Sequence, residues 1–210
     1  IQGVFPDCTL LLEKSTPSIK LKNEDYVVLA PSSIMFNQYG ERYLDAFVSL
    51  AEKLSKNYTP VIVVHNFTKN GASSDLTLCR KLYDLTANYG AVLLDEELPP
   101  SEYKGIFAGA KFSISSRYHV VVGSFSVGTP SFAIGWSHKY EEFLRLYDKA
   151  ALNLKFDDYL VENLMEGLVV MEDAIFYADD INVKNIALRL EVEKSFDIMQ
   201  KKLIASTSNA

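Results

Sequence analysis

The sequence predicts an α/β fold, doubly wound, with a mostly parallel sheet covered by helices on both faces. Three observations support this fold class. Short apolar runs alternate with longer segments of helical periodicity. Several runs are apolar on both faces and rich in Val and Ile, as parallel strands between two helical layers require. The hydrophobic share of 48% is enough for a substantial core.

Each predicted strand is an apolar run bounded by turn or helix signals. The five runs are Tyr26–Ala30 and residues 61–64, 91–94, 111–115 and 131–134. Two amphipathic helices follow the first and second runs. Their apolar stripes are Tyr43, Ala46, Phe47, Leu50 and Leu54, and then Leu78, Leu82, Leu85 and Tyr89. Ser74 or Asp75 is expected to cap the second helix, and Gly90 to end it in the left-handed conformation.

Further helices are predicted over residues 102–110, 118–128 and 138–147. Beyond residue 147 the chain becomes acidic and rich in turn signals. Residues 168–171 are predicted to form one more short strand. A final helix over residues 183–203 places Ile186, Leu190, Phe196 and Leu203 at roughly helical spacing, which predicts a packing face.

Composition excludes several classes of function. The formal net charge of −6 leaves no excess of cations for a non-specific nucleic-acid surface. No apolar run is long enough to span a bilayer, and no signal peptide or metal-type ligand spacing is visible. Cys8 and Cys79 are interpreted as free thiols. Glycine-rich loops of the common nucleotide-binding types are absent.

The candidate site lies where the predicted strands end, because ligands of open α/β sheets bind at the carboxyl ends of the strands. Ser116, Arg117, Tyr118 and His119 follow the fourth run and open a helix. A helix N-terminus favours anions, Arg117 adds a planar fork for carboxylate or phosphate, and His119 adds an imidazole that can take up or release a proton. Chemistry on a phosphorylated acid needs this combination.

Other polar residues at strand ends carry a weaker signal. His65 follows the second run, and Ser137 and Lys139 follow the fifth. A structural interpretation stands beside each functional one. Ser116 could cap a helix, Arg117 could form a surface ion pair, and His65 could be an ordinary loop residue.

Residues 103–143 resemble the signature region of the polysaccharide pyruvyl transferase family. The matching motifs are Ser115-Ser116-Arg117-Tyr118-His119, Gly128-Thr129-Pro130 and Ser137-His138-Lys139-Tyr140. Upstream, His65 and Asp75 lie where the family tends to place a strand-end His and an Asp that opens a helix. The order and separations agree over about residues 26–147. Tyr118, Val120, Glu141 and Glu142 depart from the residues that this family usually shows.

The resemblance implies transfer of a pyruvyl group from phosphoenolpyruvate to two hydroxyls of one sugar, forming a cyclic ketal. Arg117 and His119 would be the catalytic pair. Substrate would be bound by Ser116, Arg117, Tyr118, His119, Ser137, Lys139 and His65. The resemblance implies no cofactor and no metal. The partners would be phosphoenolpyruvate and a sugar or glycan acceptor, with a lipid-linked acceptor as an open alternative, and no nucleic acid.

The family is similar in fold to the two-domain GT-B glycosyltransferases, and the residues match one Rossmann-like half. We therefore expect a connector over residues 1–24, a donor-binding domain over 25–150 and an extension over 151–210. The extension would pack on this domain or on a missing N-terminal one. Two other functions stay open: a nucleotide-sugar glycosyltransferase and a non-catalytic glycan-binding domain. The expected location is the cytoplasm, with membrane association or a secretory-pathway lumen as alternatives.

Overall fold

The computed structural model describes residues 6–21, 25–68, 74–171 and 175–207. Within these ranges six strands form one sheet. They are β1 Tyr26–Ala30, β2 Thr59–Val63, β3 Val92–Leu94, β4 Ser113–Ser115, β5 Ser131–Ile134 and β6 Asn153–Leu154. The α-helices of the described residues are α1 Ser33–Tyr39, α2 Glu41–Leu54, α3 Leu76–Thr86, α4 Pro100–Gly109, α5 Tyr118–Ser126, α6 His138–Leu146, α7 Leu160–Met171 and α8 Ile175–Thr207.

The sheet confirms the predicted fold class. Its order is β3-β2-β1-β4-β5-β6, and every neighbouring pair is parallel. This is the strand order of Rossmann-like folds, in which the chain reverses direction across the sheet between β1 and β4. All five predicted apolar runs contribute a strand. The switch between β1 and β4 is the place where this architecture puts its ligands.

Burial of β1 on both faces explains why its sequence is apolar throughout. All five of its residues are buried. Val27 and Leu29 belong to one hydrophobic cluster, and Val28 and Ala30 belong to the other. Successive side chains of a strand point to opposite faces, so each face of the sheet needs its own apolar set. The sheet therefore separates two cores, as a doubly wound fold requires.

Two predictions about secondary structure were wrong. Residues 168–171, predicted to be a strand, form the end of α7. Four apolar residues in a row look the same in a strand and in a buried helix, so periodicity could not separate the two. The final helix starts at Ile175 rather than near residue 183, and it includes Asp179 and Asp180. The two-residue strand β6 was not predicted, because Asn153–Leu154 carries no apolar run.

The amphipathic faces were only partly predicted. In α3, Gly90 adopts the expected left-handed conformation beyond the helix end, with φ 75°. Leu78 and Leu82 are buried, but Leu85 is exposed, and the buried stripe continues through Thr86 instead. Cys79, which is also buried, belongs to this same face, whereas Cys8 is exposed.

The terminal helix α8 packs on the domain through a different face from the one predicted. Ile181, Leu188 and Val192 are buried, and Asn185 donates a hydrogen bond to the carbonyl oxygen of Phe125 at 2.7 Å. The predicted stripe faces away: Ile186, Leu190 and Phe196 are 66%, 50% and 47% exposed, and the side chain of Leu203 lies outside the described residues. Contact of that stripe with another domain stays a prediction.

The segment before β1 is attached to the body of the domain. A short 3-10 helix, Cys8–Leu11, buries Leu10 completely against α5 and α8. The buried ammonium group of Lys104 in α4 donates hydrogen bonds of 2.7 Å to the carbonyl oxygens of Thr9 and Leu12. Burial lowers the pKa of Lys104 to about 8, which reflects the cost of holding a charge there. This segment therefore forms part of the wall near the strand ends.

Candidate active site at the switch point

A cavity of about 370 Å³ opens at the carboxyl ends of the strands beside the switch point. We call it the smaller cavity, because a larger one adjoins it. Most of the residues singled out from the sequence line it: His65, Ser116, Arg117, Tyr118, His119 and Lys139, together with Ile34, Asn66, Trp136 and Tyr140. Ser137 does not. Its hydroxyl is buried without a hydrogen-bond partner among the described residues. The residues that gather here come from four strand ends, far apart in the sequence.

Arg117 forms a buried ion pair with Asp75 at the start of α3. Its Nε donates to Asp75 Oδ2 at 2.8 Å, and its Nη2 donates both to Asp75 Oδ1 and, at 3.1 Å, to the hydroxyl of Ser33. The side chains of Arg117 and Asp75 are 13% and 0% exposed. The structure therefore excludes a surface ion pair for Arg117. It also shows that one edge of the guanidinium fork is occupied by a protein carboxylate.

Asp75 joins three loops at one point. Besides Arg117, its carboxylate accepts hydrogen bonds from the backbone N–H groups of Ser33 at 2.9 Å and Asn66 at 3.1 Å. These groups follow β1 and β2, whereas Arg117 follows β4. A buried carboxylate is stable only when it is paired and hydrogen-bonded, and Asp75 meets this condition fully. The position of the guanidinium is thus fixed relative to three strand ends.

A second set of hydrogen bonds fixes the backbone at Ser116. The phenol of Tyr43 in α2 donates to Ser116 Oγ at 2.8 Å and accepts from the N–H of Ser32 at 2.9 Å. The phenol of Tyr140 in α6 donates to the carbonyl oxygen of Ser116 at 2.8 Å. Burial raises the pKa of Tyr140 to about 12, so this group stays a neutral donor. Ser116 does not cap α5: the N-cap is Arg117, and Ser115 Oγ accepts its N–H.

His119 lies in the first turn of α5 and is the most accessible ionisable residue of that turn. Its side chain is 57% exposed, and Nε2 lies 3.7 Å from Asp7 Oδ2. Asp7 caps the short helix Cys8–Leu11 by accepting the N–H of Thr9 at 2.9 Å. Asp7 therefore brings a carboxylate close to the imidazole, at a distance longer than a hydrogen bond.

His65 is held in its neutral form. Burial lowers its pKa to about 4, the positive charges of His119 and Arg117 act in the same direction, and the charge of Asp75 opposes them. Its ring centroid lies 6.1 Å from that of Tyr103 in α4. Near pH 7 His65 therefore offers one hydrogen-bond donor and one acceptor to the cavity, not a positive charge.

Lys139 brings a second cation to the same cavity by a looser arrangement. It lies in the first turn of α6, and its ammonium is 5.0 Å from the ring centroid of Tyr118 and 5.9 Å from that of Trp136. Trp136 is itself 46% exposed. Cation–π contacts of exposed groups are weak, so Lys139 can turn towards a ligand at little cost.

The residues that hold this site together were not recognised as its supports from the sequence. Asp75 was identified only as a helix cap and as a match to the family, whereas Tyr43 was assigned only to an apolar stripe. The available signal was the position of Asp75 after the loop that follows β2, because an acid that is buried there needs a cation or hydrogen-bond donors as partners.

No metal-binding group of three or more His, Cys, Asp or Glu occurs among the described residues. None of the described helices is long and apolar enough to cross a membrane.

A parallel sheet in this order, with a cationic cavity at its switch point, defines a Rossmann-like domain of the kind that builds GT-B enzymes. The sequence model described as polysaccharide pyruvyl transferase matches residues 3–138, and the chain belongs to this family. No curated protein sequence matches the chain.

The fold is also similar to that of UDP-GlcNAc 2-epimerase from Neisseria meningitidis, crystallised with UDP-GlcNAc bound. The similarity has a TM-score of 0.56 at 13% sequence identity, and it covers 87% of this chain. It covers 45% of the epimerase chain, so this chain spans less than half the length of that neighbour. At this identity the similarity shows the fold alone.

Proposed function

We propose that the protein transfers the pyruvyl group of phosphoenolpyruvate to two hydroxyls of one sugar in a glycan, forming a cyclic ketal and releasing phosphate. One observation carries the proposal: the smaller cavity brings Arg117, Lys139 and His119 together at the N-terminus of α5. Two cations and a titratable group around one small space suit a small phosphorylated acid. Membership of the pyruvyl transferase family supports the same donor.

Arg117 would contact the donor's carboxylate or phosphate through the part of its guanidinium that lines the cavity. The Asp75 pair holds that group in place before the donor arrives, so little conformational freedom is lost on binding. Lys139 would approach the departing phosphate and stabilise its charge. His65, being neutral, would donate a hydrogen bond without adding charge.

The proposed reaction needs one proton delivered to the enol carbon and two removed from the sugar. Protonation of that carbon makes the neighbouring carbon electrophilic, and the first sugar hydroxyl attacks it and loses its proton. The bond to phosphate then breaks, the second hydroxyl attacks the same carbon, and its proton leaves with the phosphate. His119, which is accessible and lies near the carboxylate of Asp7, would move protons in this sequence.

The test compares Arg117 and His119 variants of the intact protein. Arg117→Lys should weaken phosphoenolpyruvate binding roughly ten- to a hundredfold, because an ammonium cannot reproduce the contacts of a guanidinium. His119→Ala should lower turnover more than it weakens donor binding, by roughly a hundredfold or more, and should change the pH profile. Donor affinity, turnover and melting temperature are measured on the same samples. Folded variants that bind and turn over like the parent would refute the site assignment.

A second candidate function is transfer from a nucleotide sugar, favoured by the similar fold of an epimerase crystallised with UDP-GlcNAc. Arg117 and Lys139 could hold a diphosphate in the same place. Calorimetric titration separates the two functions. Binding of UDP-GlcNAc without binding of phosphoenolpyruvate would support the glycosyltransferase, and binding of an oligosaccharide alone would support a non-catalytic domain.

A further inference from the structure

A second and larger cavity, of about 720 Å³, adjoins the first. The two share three lining residues, His65, Asn66 and His119. The volume lies within the range typical of sites for small organic ligands. His119 at the shared wall places the proposed proton-transfer group at the edge of both spaces. A ligand in the larger cavity would therefore lie next to a ligand in the smaller cavity.

The lining of the larger cavity differs in chemistry from that of the smaller one. Three aromatic rings contribute to it, from Phe67, Tyr103 and Phe107. Its charged residues, apart from the two shared histidines, are Glu97 and Lys104. Lys104 is 3% exposed, and its ammonium donates to two backbone carbonyls at 2.7 Å. The accessible charge is therefore the carboxylate of Glu97, which disfavours a phosphate or a second acid here.

Aromatic rings beside a carboxylate suit a neutral sugar. The C–H faces of a pyranose pack against an aromatic ring, and a carboxylate accepts hydrogen bonds from two neighbouring hydroxyls at once. Phe67 is half-buried and Glu97 is exposed, so both can reach a ligand. Glu97 lies close enough to Tyr103 for its charge to add to the effect of burial, which is the main cause of the raised pKa of that phenol. Ring and carboxylate thus line the same space.

From these observations we infer that the larger cavity is the acceptor site, and that it binds the uncharged sugar ring receiving the pyruvyl group. The inference rests on the proposed function, because only an acceptor must lie beside the donor and the proton-transfer group. Glu97 recognises the sugar hydroxyls, and Phe67 packs against the ring. Asn66 and His65 lie between the larger cavity and the cationic smaller one.

The experiment measures sugar binding directly, with and without saturating phosphoenolpyruvate. Methyl β-galactoside, methyl β-glucoside and methyl α-mannoside are titrated into the intact protein and followed by ligand-observed NMR. At least one glycoside should bind, and Glu97→Gln and Phe67→Ala should each weaken it roughly tenfold while donor affinity stays at the parent value. Glu96→Gln is the matched control, since Glu96 is an exposed neighbour that does not line the cavity.

The outcomes separate the two proposals. Absence of binding by all three glycosides overturns the acceptor site, as does binding that Glu97→Gln and Phe67→Ala leave unchanged. Equal loss of donor affinity in these variants also overturns it, because the two cavities would then act as one site. Glycoside binding that depends on Glu97, in a protein that does not bind phosphoenolpyruvate, would refute the proposed function and leave the sugar site standing.

Discussion

The loop after β4 and the loop after β5 both bring a cation to the smaller cavity, but the protein holds them in different ways. Arg117 is largely buried, paired with Asp75 and bonded to Ser33. Lys139 is exposed and rests against two aromatic rings, one of which is itself half in solvent. The fold holds Arg117 in one position through hydrogen bonds to neighbouring side chains, whereas Lys139 is held only by weak cation–π contacts.

This difference predicts whether substitution of each cation affects the stability of the fold, ligand binding, or both. A side chain held by buried partners cannot be changed without disturbing the fold, so its effect on binding and its effect on stability are linked. An exposed side chain can be removed cleanly, so its effect is on the ligand alone. The following experiments measure how far this separation holds, starting with the largest expected effect.

Asp75→Ala should cost the most stability, because it removes the charged partner of the largely buried guanidinium of Arg117 and the acceptor of two backbone N–H groups. Breaking a buried pair in this way typically costs about 3–5 kcal/mol. Urea unfolding measures the loss. Asp95→Ala is the control, since the Arg80–Asp95 pair lies at the surface and should cost about 1 kcal/mol or less. Equal losses in the two variants would contradict the contrast between fixed and loose regions.

His65 should make stability depend on pH, because burial lowers its pKa from 6.5 to about 4. Between these two values the unfolded chain binds a proton that the folded chain does not. The free energy of unfolding contributed by His65 is therefore complete above pH 6.5 and falls as the pH drops towards 4. The parent should lose about 2–3 kcal/mol more than His65→Gln over this range. Parallel pH curves for the two proteins would show that His65 is not buried in its neutral form.

Lys139→Ala should leave the free energy of unfolding within about 0.5 kcal/mol of the parent, as expected for an exposed side chain. Phosphoenolpyruvate affinity should nevertheless fall about tenfold, through loss of one charge-assisted contact. Lys139→Arg should recover part of this loss. Isothermal titration at two salt concentrations, combined with thermal unfolding, tests both statements. A large loss of stability would place Lys139 among the fixed residues and remove the contrast between the loops.

Local patterns predicted most of the sheet, since a buried parallel strand needs an apolar run wherever it lies. They failed where local signals were weak or ambiguous. The two residues of β6 are too few for a pattern, and four apolar residues in a row, as at residues 168–171, do not by themselves distinguish a strand from a helix. In α8 the apolar spacing predicted one face, but the domain packs against the face carrying Ile181 and Leu188.

The candidate site was predicted in position and incompletely in detail. Strand ends and a helix start were enough to single out Ser116, Arg117 and His119, because those features are encoded nearby in the sequence. The partner of Arg117 is Asp75, 42 residues away, and the partner of His119 is Asp7. Such pairs depend on how the loops meet in space, which a single sequence does not encode locally. The same limit explains Ser137, whose position in the motif does not bring it to the cavity wall.

The short helix Cys8–Leu11 links the fit of a ligand in the larger cavity to the position of the carboxylate beside His119. Asp7, at its start, contacts His119, while Thr9 and Leu12 line the larger cavity. Under the proposed function, a bulky acceptor that displaced this helix would also lengthen the distance from Asp7 to His119. An ill-fitting sugar would then lower the rate of proton transfer even when it binds well. Acceptors would therefore differ in turnover more than in affinity, because displacement of this one helical turn would slow proton transfer.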